Sequence, residues 1–246
     1  SETYNGTSWT EGNNLGSPAD NAASAGVETA GVAFGGSPPA GGANNDTQEY
    51  DGTDWSEGNN LNTGRYAIGG SGTQTAALAA GGSPPGNTGS NLSEEYNGTN
   101  WTEGNNLGTG RYKLTIFGTQ TAAVAAGGDT GPANVNNVEH YDGTSWTNAT
   151  VYPSTLTYAA SAGSQTDGLV FLGDLGPGYG ATTNTYNGTA WAASATLANA
   201  GGNTEGCGTG ALALAASGGP SSGRTNGAEE FTGASTSLNV KTLTSS

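Results

Sequence analysis

The feature that most constrains this chain is a repeat. Tryptophans stand at 9, 55, 101, 146 and 191, spaced by 46, 46, 45 and 45 residues. Each closes the same short run: YNGTSW, YDGTDW, YNGTNW, YDGTSW and YNGTAW, with a degenerate copy beginning at Phe231. A period of this length is that of a four-stranded propeller blade, a unit that cannot bury its own faces and must stack on its neighbours. The expectation is therefore an all-β, five-bladed β-propeller spanning residues 1–246 as one domain.

Taking 110–146 as a type unit, the alternation over 112–117 predicts the innermost strand a, and 119–126 the second, b. Residues 138–141 predict strand c and 145–148 the outermost strand d. The Asp142–Gly143 pair fits a two-residue type I′ turn between c and d, with equivalents at Asn5–Gly6, Asp51–Gly52, Asn97–Gly98 and Asn187–Gly188. Strand b reads TAALAA at 75–80, TAAVAA at 121–126 and ALALAA at 211–216. Alanine there means that facing sheets approach closely. It ends in a glycine pair at 35–36, 81–82 and 127–128; in the fourth unit Asp174 is expected to replace the second glycine of that pair. Trp9, Trp55, Trp101, Trp146 and Trp191 are expected in the structural core. Five a–b pairs face six c–d hairpin signals, so the ring is expected to close by its two ends, with 227–231 as strand c beside 7–11 as strand d. Residues 236–246 then form a leaving tail or a competing last strand.

Composition excludes more than it assigns. Twenty acidic residues against five basic ones give a net charge of −15, which argues against nucleic acid and anionic membrane surfaces as partners. No apolar run is long enough for a membrane-crossing helix. The chain has no methionine, so Ser1 is expected to follow a cleavage or an upstream segment of a larger parent protein.

The order Arg111–Tyr112, a strand ending in Gly127–Gly128, then Tyr141 and Trp146 resembles the kelch repeat of β-propellers. That resemblance covers nearly the whole chain and implies the fold, not an activity, because such propellers host enzymes and binding modules alike. Units of the type YNGTSWTEGNNLGTGRY also resemble Gly/Asn/Thr-rich repeats of marine bacteriophage and metagenomic proteins, often near tail or fibre genes.

Chemistry is sparse. The kelch-type copper oxidases use paired histidines and tyrosines, and this chain has His140 alone, read as a surface strand residue. Cys207 falls in strand a and reads as a small core residue. Glu94–Glu95 and Glu229–Glu230 are adjacent, hence on opposite sheet faces, and recur at equivalent positions. No catalytic residue, metal or cofactor is expected. The b–c loops, by contrast, differ in every unit, and loops that vary over a fixed scaffold are where binding usually resides. With the d–a loops they are expected on one axial face. Arg65, Tyr66, Arg111, Tyr112, Tyr158, Asn59, Asn60, Asn105 and Asn106 are the candidate ligand residues there, amides suiting sugar hydroxyls and rings suiting apolar sugar faces. The expected role is a non-enzymatic structural or binding module of a larger extracellular or virion assembly, such as a phage appendage or tail-fibre domain contacting host glycans. A secreted lectin with one sugar site per blade is the second reading, and a glycan-acting hydrolase the third.

Overall fold

The computed structural model describes residues 1–86, 88–171, 173–175, 178–198, 201–216, 227–233 and 239–242. Every regular element among them is a strand. The fold is an all-β five-bladed propeller of four-stranded antiparallel blades, with one additional hairpin at the N-terminus. Two compact units divide the chain, Ser1–Tyr112 and Lys113–Ser246.

The first unit holds the hairpin β1 (Glu2–Tyr4) and β2 (Trp9–Glu11) and two blades. Blade 1 is β3 (Ala23–Val27), β4 (Ala30–Phe34), β5 (Thr47–Tyr50) and β6 (Trp55–Glu57). Blade 2 is β7 (Gly69–Thr73), β8 (Ala76–Ala80), β9 (Ser93–Tyr96) and β10 (Trp101–Glu103). The second unit holds three. Blade 3 is β11 (Thr115–Thr119), β12 (Ala122–Ala126), β13 (Val138–Tyr141) and β14 (Trp146–Asn148). Blade 4 is β15 (Ala160–Ser164), β16 (Asp167–Phe171), β17 (Thr183–Tyr186) and β18 (Trp191–Ala193). Blade 5 is β19 (Glu205–Gly208), β20 (Leu212–Ala216), β21 (Gly227–Thr232) and β22 (Asn239–Thr242).

Small residues let the inner strands meet. Ala77–Ala80 and Ala123–Ala126 are fully buried. A Cβ on Gly70 would lie 2.7 Å from Phe34 Cζ, and one on Gly168 would lie 2.2 Å from the Phe117 ring. At those spacings nothing larger than glycine fits, which is why strands a and b are poor in bulky residues. Bulk lies farther out. Each tryptophan stacks on the tyrosine across its own hairpin at 4.4–5.1 Å between ring centroids. Only Trp101 is buried as a core residue, at 6 % exposure; Trp9, Trp55, Trp146 and Trp191 are half-buried, lining the joints rather than filling a centre.

Three local expectations need correction. The c–d turn is not a two-residue type I′ turn. Tyr141 pairs with Trp146, leaving the four-residue loop 142–145. Gly143 has φ +87° but Asp142 is not left-handed. Asp142 Oδ1 instead accepts the backbone N–H groups of Thr144 (2.8 Å) and Ser145 (2.7 Å), an Asx turn that needs only one left-handed residue. The same bonds recur at Asn5, Asp51, Asn97 and Asn187.

The second correction is the glycine pair of the fourth unit, which loses its first glycine and not its second. Gly173 N donates to Gly201 O as Gly128 N does to Leu156 O, so Gly173 holds the place of the second glycine, and the residue before it lies outside the described residues. The second glycines have φ of 92–112°, outside the left-handed well that other residues can enter, whereas the first sit at 66–69°.

The third concerns closure. β2 pairs only with β1, and blade 5 takes its outer strand from β22, in the register Glu229↔Val240. The strand beside 227–231 on its outer side is therefore 239–242. Residues 239–242 are a last strand, and the rest of 236–246 lies outside the described residues. Cys207, read as core, is exposed.

Candidate functional site

Where each d–a loop turns into strand a, the backbone does the same unusual thing. Among the described residues, the non-glycine residues with positive φ are Asn21 (54°), Ala67 (47°), Lys113 (58°), Tyr158 (51°) and Asn203 (55°). Each stands twelve places after its tryptophan, at one repeat position. Left-handed backbone costs a non-glycine residue on the order of 1 kcal/mol, so something must hold it. The hold is a backbone bond between successive blades: Ala67 N–H to Asn21 O (2.9 Å) in the first unit, and Tyr158 N–H to Lys113 O (3.0 Å), then Asn203 N–H to Tyr158 O (3.2 Å), in the second. The bond uses no side-chain atom, so the side chain at this position is free to differ, and it differs.

In the second unit two such side chains, Lys113 and Tyr158, adjoin together with a loop carboxylate. Lys113 Nζ lies 3.0 Å from Asp129 Oδ2 and 5.3 Å from the centre of the Tyr158 ring. Asp129, at the base of a b–c loop, also accepts the N–H of Gly131 at 2.8 Å. Both side chains of this pair are largely shielded, Lys113 at 23 % and Asp129 at 12 % exposure. The pair holds an ammonium beside an aromatic face, next to a variable loop.

The b–c loops rise from identical bases. Gly36, Gly82, Gly128 and Gly173 each donate to the following d–a loop, at Arg65, Arg111, Leu156 and Gly201 O (2.7–3.0 Å). Each also accepts across its own loop, from Asn44, Ser90, Val135 and Gly180 N (2.8–2.9 Å). Between these fixed points the sequences SPPAGGA, SPPGNTG and DTGPAN share little. Tyr66 is tied by its backbone to Ser83 at the foot of the next such loop, and Thr157 is tied in the same way to Asp174. Tyr66, Tyr112 and Tyr158 are half-buried, and of these Tyr66 borders such a loop.

The arginines do not present themselves to solvent. Arg65 is fully buried; its guanidinium donates to Gly81 O (2.6 Å), Leu92 O (2.9 Å) and Glu94 Oε1 (2.8 Å). Burial lowers its proton affinity and Glu94 opposes that effect. Arg111, at the equivalent place, is equally enclosed. The repeat explains the pair. Where Ala19 stands in place of arginine, the acid becomes Gln48, which binds Gly16 N and Ser17 O. Where Leu156 stands there, the acid becomes Asn184, bound to the Tyr152 hydroxyl at 2.7 Å. A buried carboxylate without its cation is costly, and in these two joints both charges are gone together. Arg65 is an internal tie.

Asn59 and Asn60 are also elsewhere. Asn59 Nδ2 donates to Asn100 Oδ1 in the next blade's outer hairpin (2.9 Å), and Asn60 Oδ1 accepts Thr47 N (3.2 Å). Asn105 and Asn106 are exposed, with Asn105 O accepting from Ser93 Oγ. Within the first unit, Asn59 thus meets an outer hairpin while Tyr66 borders a b–c loop.

Sequence reasoning missed Lys113, Asn21 and Asn203; their signal was the fixed distance from tryptophan, not their type. Other titratable groups lie apart. His140 is half-buried and its Nε2 meets the Tyr186 hydroxyl at 2.9 Å, a tie between blades 3 and 4; burial lowers its proton affinity. Glu205 is reachable by solvent yet hemmed in by protein, and the latter governs its proton, pushing the carboxyl up to about 7. Cys207, two residues along the same strand face, has a thiol pushed up by burial, the less nucleophilic state. No group of three or more metal-ligating side chains occurs among the described residues.

No family model matches the chain, and no curated protein matches it. The kelch and phage-repeat resemblances therefore rest on the quoted residues. Among solved structures, one described as the structure of YjhT superposes with a TM-score of 0.77 at 13 % identity, covering 95 % of this chain and 87 % of that one. At that identity the likeness carries the fold alone.

Proposed function

We propose that the chain is a non-enzymatic binding module of a larger extracellular assembly, a phage appendage or tail-fibre domain that meets polar glycans on a host surface. Dissimilar b–c loops standing on identical backbone bases carry this reading: constant bonds hold the frame while the loops between them change in composition. The cluster of Lys113, Asp129 and Tyr158 is the first place to look for contact. Its ring offers an apolar sugar face a surface, and its charges offer hydroxyls both donor and acceptor. The phage-like repeat resemblance supports the same reading.

The test is binding of the labelled protein to a broad glycan array, with and without a calcium chelator. Selective binding that survives chelation and falls at least about tenfold in Tyr158→Ala or Lys113→Ala, a difference near 1.4 kcal/mol, is the expected result. Silence across the array would overturn it. The near-identical segments 55–66 and 101–112 favour a second reading, a lectin with one site per blade. Titration separates the two, since equivalent sites would saturate together with a stoichiometry well above one.

A further inference from the structure

The residue that opens each b–c loop occupies one repeat position, and blades differ there in charge. In the first unit it is Ser37 or Ser83, and the left-handed positions that accompany them hold Asn21 and Ala67. In the second unit it is Asp129 or Asp174, and the accompanying positions hold Lys113 and Tyr158. Asp129 is held from two sides: Oδ1 accepts Gly131 N–H (2.8 Å) and Oδ2 accepts from Lys113 Nζ (3.0 Å). The loop behind it is itself tied, Thr130 N–H to Ala133 O (3.0 Å) and Val135 N–H to Gly128 O (2.8 Å). Lys113 is anchored too, because its carbonyl accepts Tyr158 N–H (3.0 Å). Carboxylate and ammonium therefore meet a ligand as one fixed pair, each cancelling most of the other's field beyond a few ångströms.

Alone, Lys113 beside the Tyr158 ring would draw an anion, and a sugar carboxylate is the anion a glycan most often offers. Asp129 removes that attraction. Asp174, half-exposed and joined by its backbone to Thr157 next to Tyr158, adds a second negative charge one blade on. Two of these three charges are negative, so a carboxylate approaching the ring meets net repulsion, whereas a neutral sugar meets none. Selectivity of this kind comes from what the site repels as much as from what it holds. We propose, on the glycan-binding reading above, that Asp129 makes this site select neutral glycans over acidic ones by cancelling the charge of Lys113.

The full chain is tested on array pairs that differ in one group, glucose- against glucuronate-terminated and galactose- against galacturonate-terminated glycans. The unaltered protein is expected to favour the neutral member at least about tenfold, a difference near 1.4 kcal/mol. Asp129→Asn keeps an oxygen for Gly131 N–H and uncovers the Lys113 charge, so the preference should fall at least about tenfold. Asp129→Ser, which places there the residue that blades 1 and 2 have at this position, should lower it in the same direction. Equal or stronger binding of the acidic members by the unaltered protein, or an unchanged preference in both variants, would overturn the charge selection and leave glycan binding standing. Silence on every pair with binding elsewhere on the array would also overturn it, and silence throughout would overturn the glycan reading with it.

Discussion

The two joints of the first unit are made from the same repeat and differ in one respect: blade 2 stacks on a four-stranded blade, and blade 1 stacks on the hairpin β1–β2. At the first of these Trp101 is buried, Tyr96 is bonded to Glu49, Gln74 spans two carbonyls and Arg65 is locked to Glu94. At the hairpin joint Trp55 is half-buried, Glu28 is exposed and neutral Gln48 replaces the buried acid. A blade's residues acquire their roles from the neighbour they meet. Identical sequence does not carry identical energy.

That difference can be broken in several ways. Trp101→Ala should cost about 3–5 kcal/mol in urea denaturation, whereas Trp55→Ala should cost about half as much, because less of its ring leaves water on folding. Glu94→Leu should cost about 3–5 kcal/mol by stranding a buried guanidinium, and adding Arg65→Met should recover much of that loss. Gln74→Ala should cost about 1–2 kcal/mol for two lost bonds to carbonyls. The matching change Glu28→Ala should stay within about 0.5 kcal/mol.

The smallest effect concerns pH. Asp51 accepts the N–H groups of Asp54 and Thr53, which hold its carboxyl below the usual 3.8. A depressed folded value means the contribution is present above the unfolded pKa and is lost as pH falls through the folded one. Asp51→Asn, the chemistry blade 2 already has at Asn97, should leave stability at pH 7 unchanged and flatten its decline between about pH 4 and 2. Denaturant midpoints at pH 7 and 3 would check it.

Much of this fold was legible because its signals are periodic. The tryptophan spacing, the alanine strands and the paired glycines each reported a geometry that repeats, and strand c at 138–141 matched to the residue. The c–d turn was misjudged because Asp-Gly fits both a type I′ turn and an Asx turn, and the choice rests on a side-chain bond that the dipeptide does not reveal. The candidate site was harder for a different reason. Arg65 looked like a surface residue because its partner Glu94 lies 29 positions away, and only the fold brings the two together. The left-handed position was invisible by residue type, since alanine, lysine and tyrosine occupy it beside two asparagines.

That last position also has an evolutionary consequence. Because the bond that secures it is made by backbone atoms alone, gene duplication copies the address and later substitutions alter what is displayed there, one residue at a time, at nearly equal folding cost.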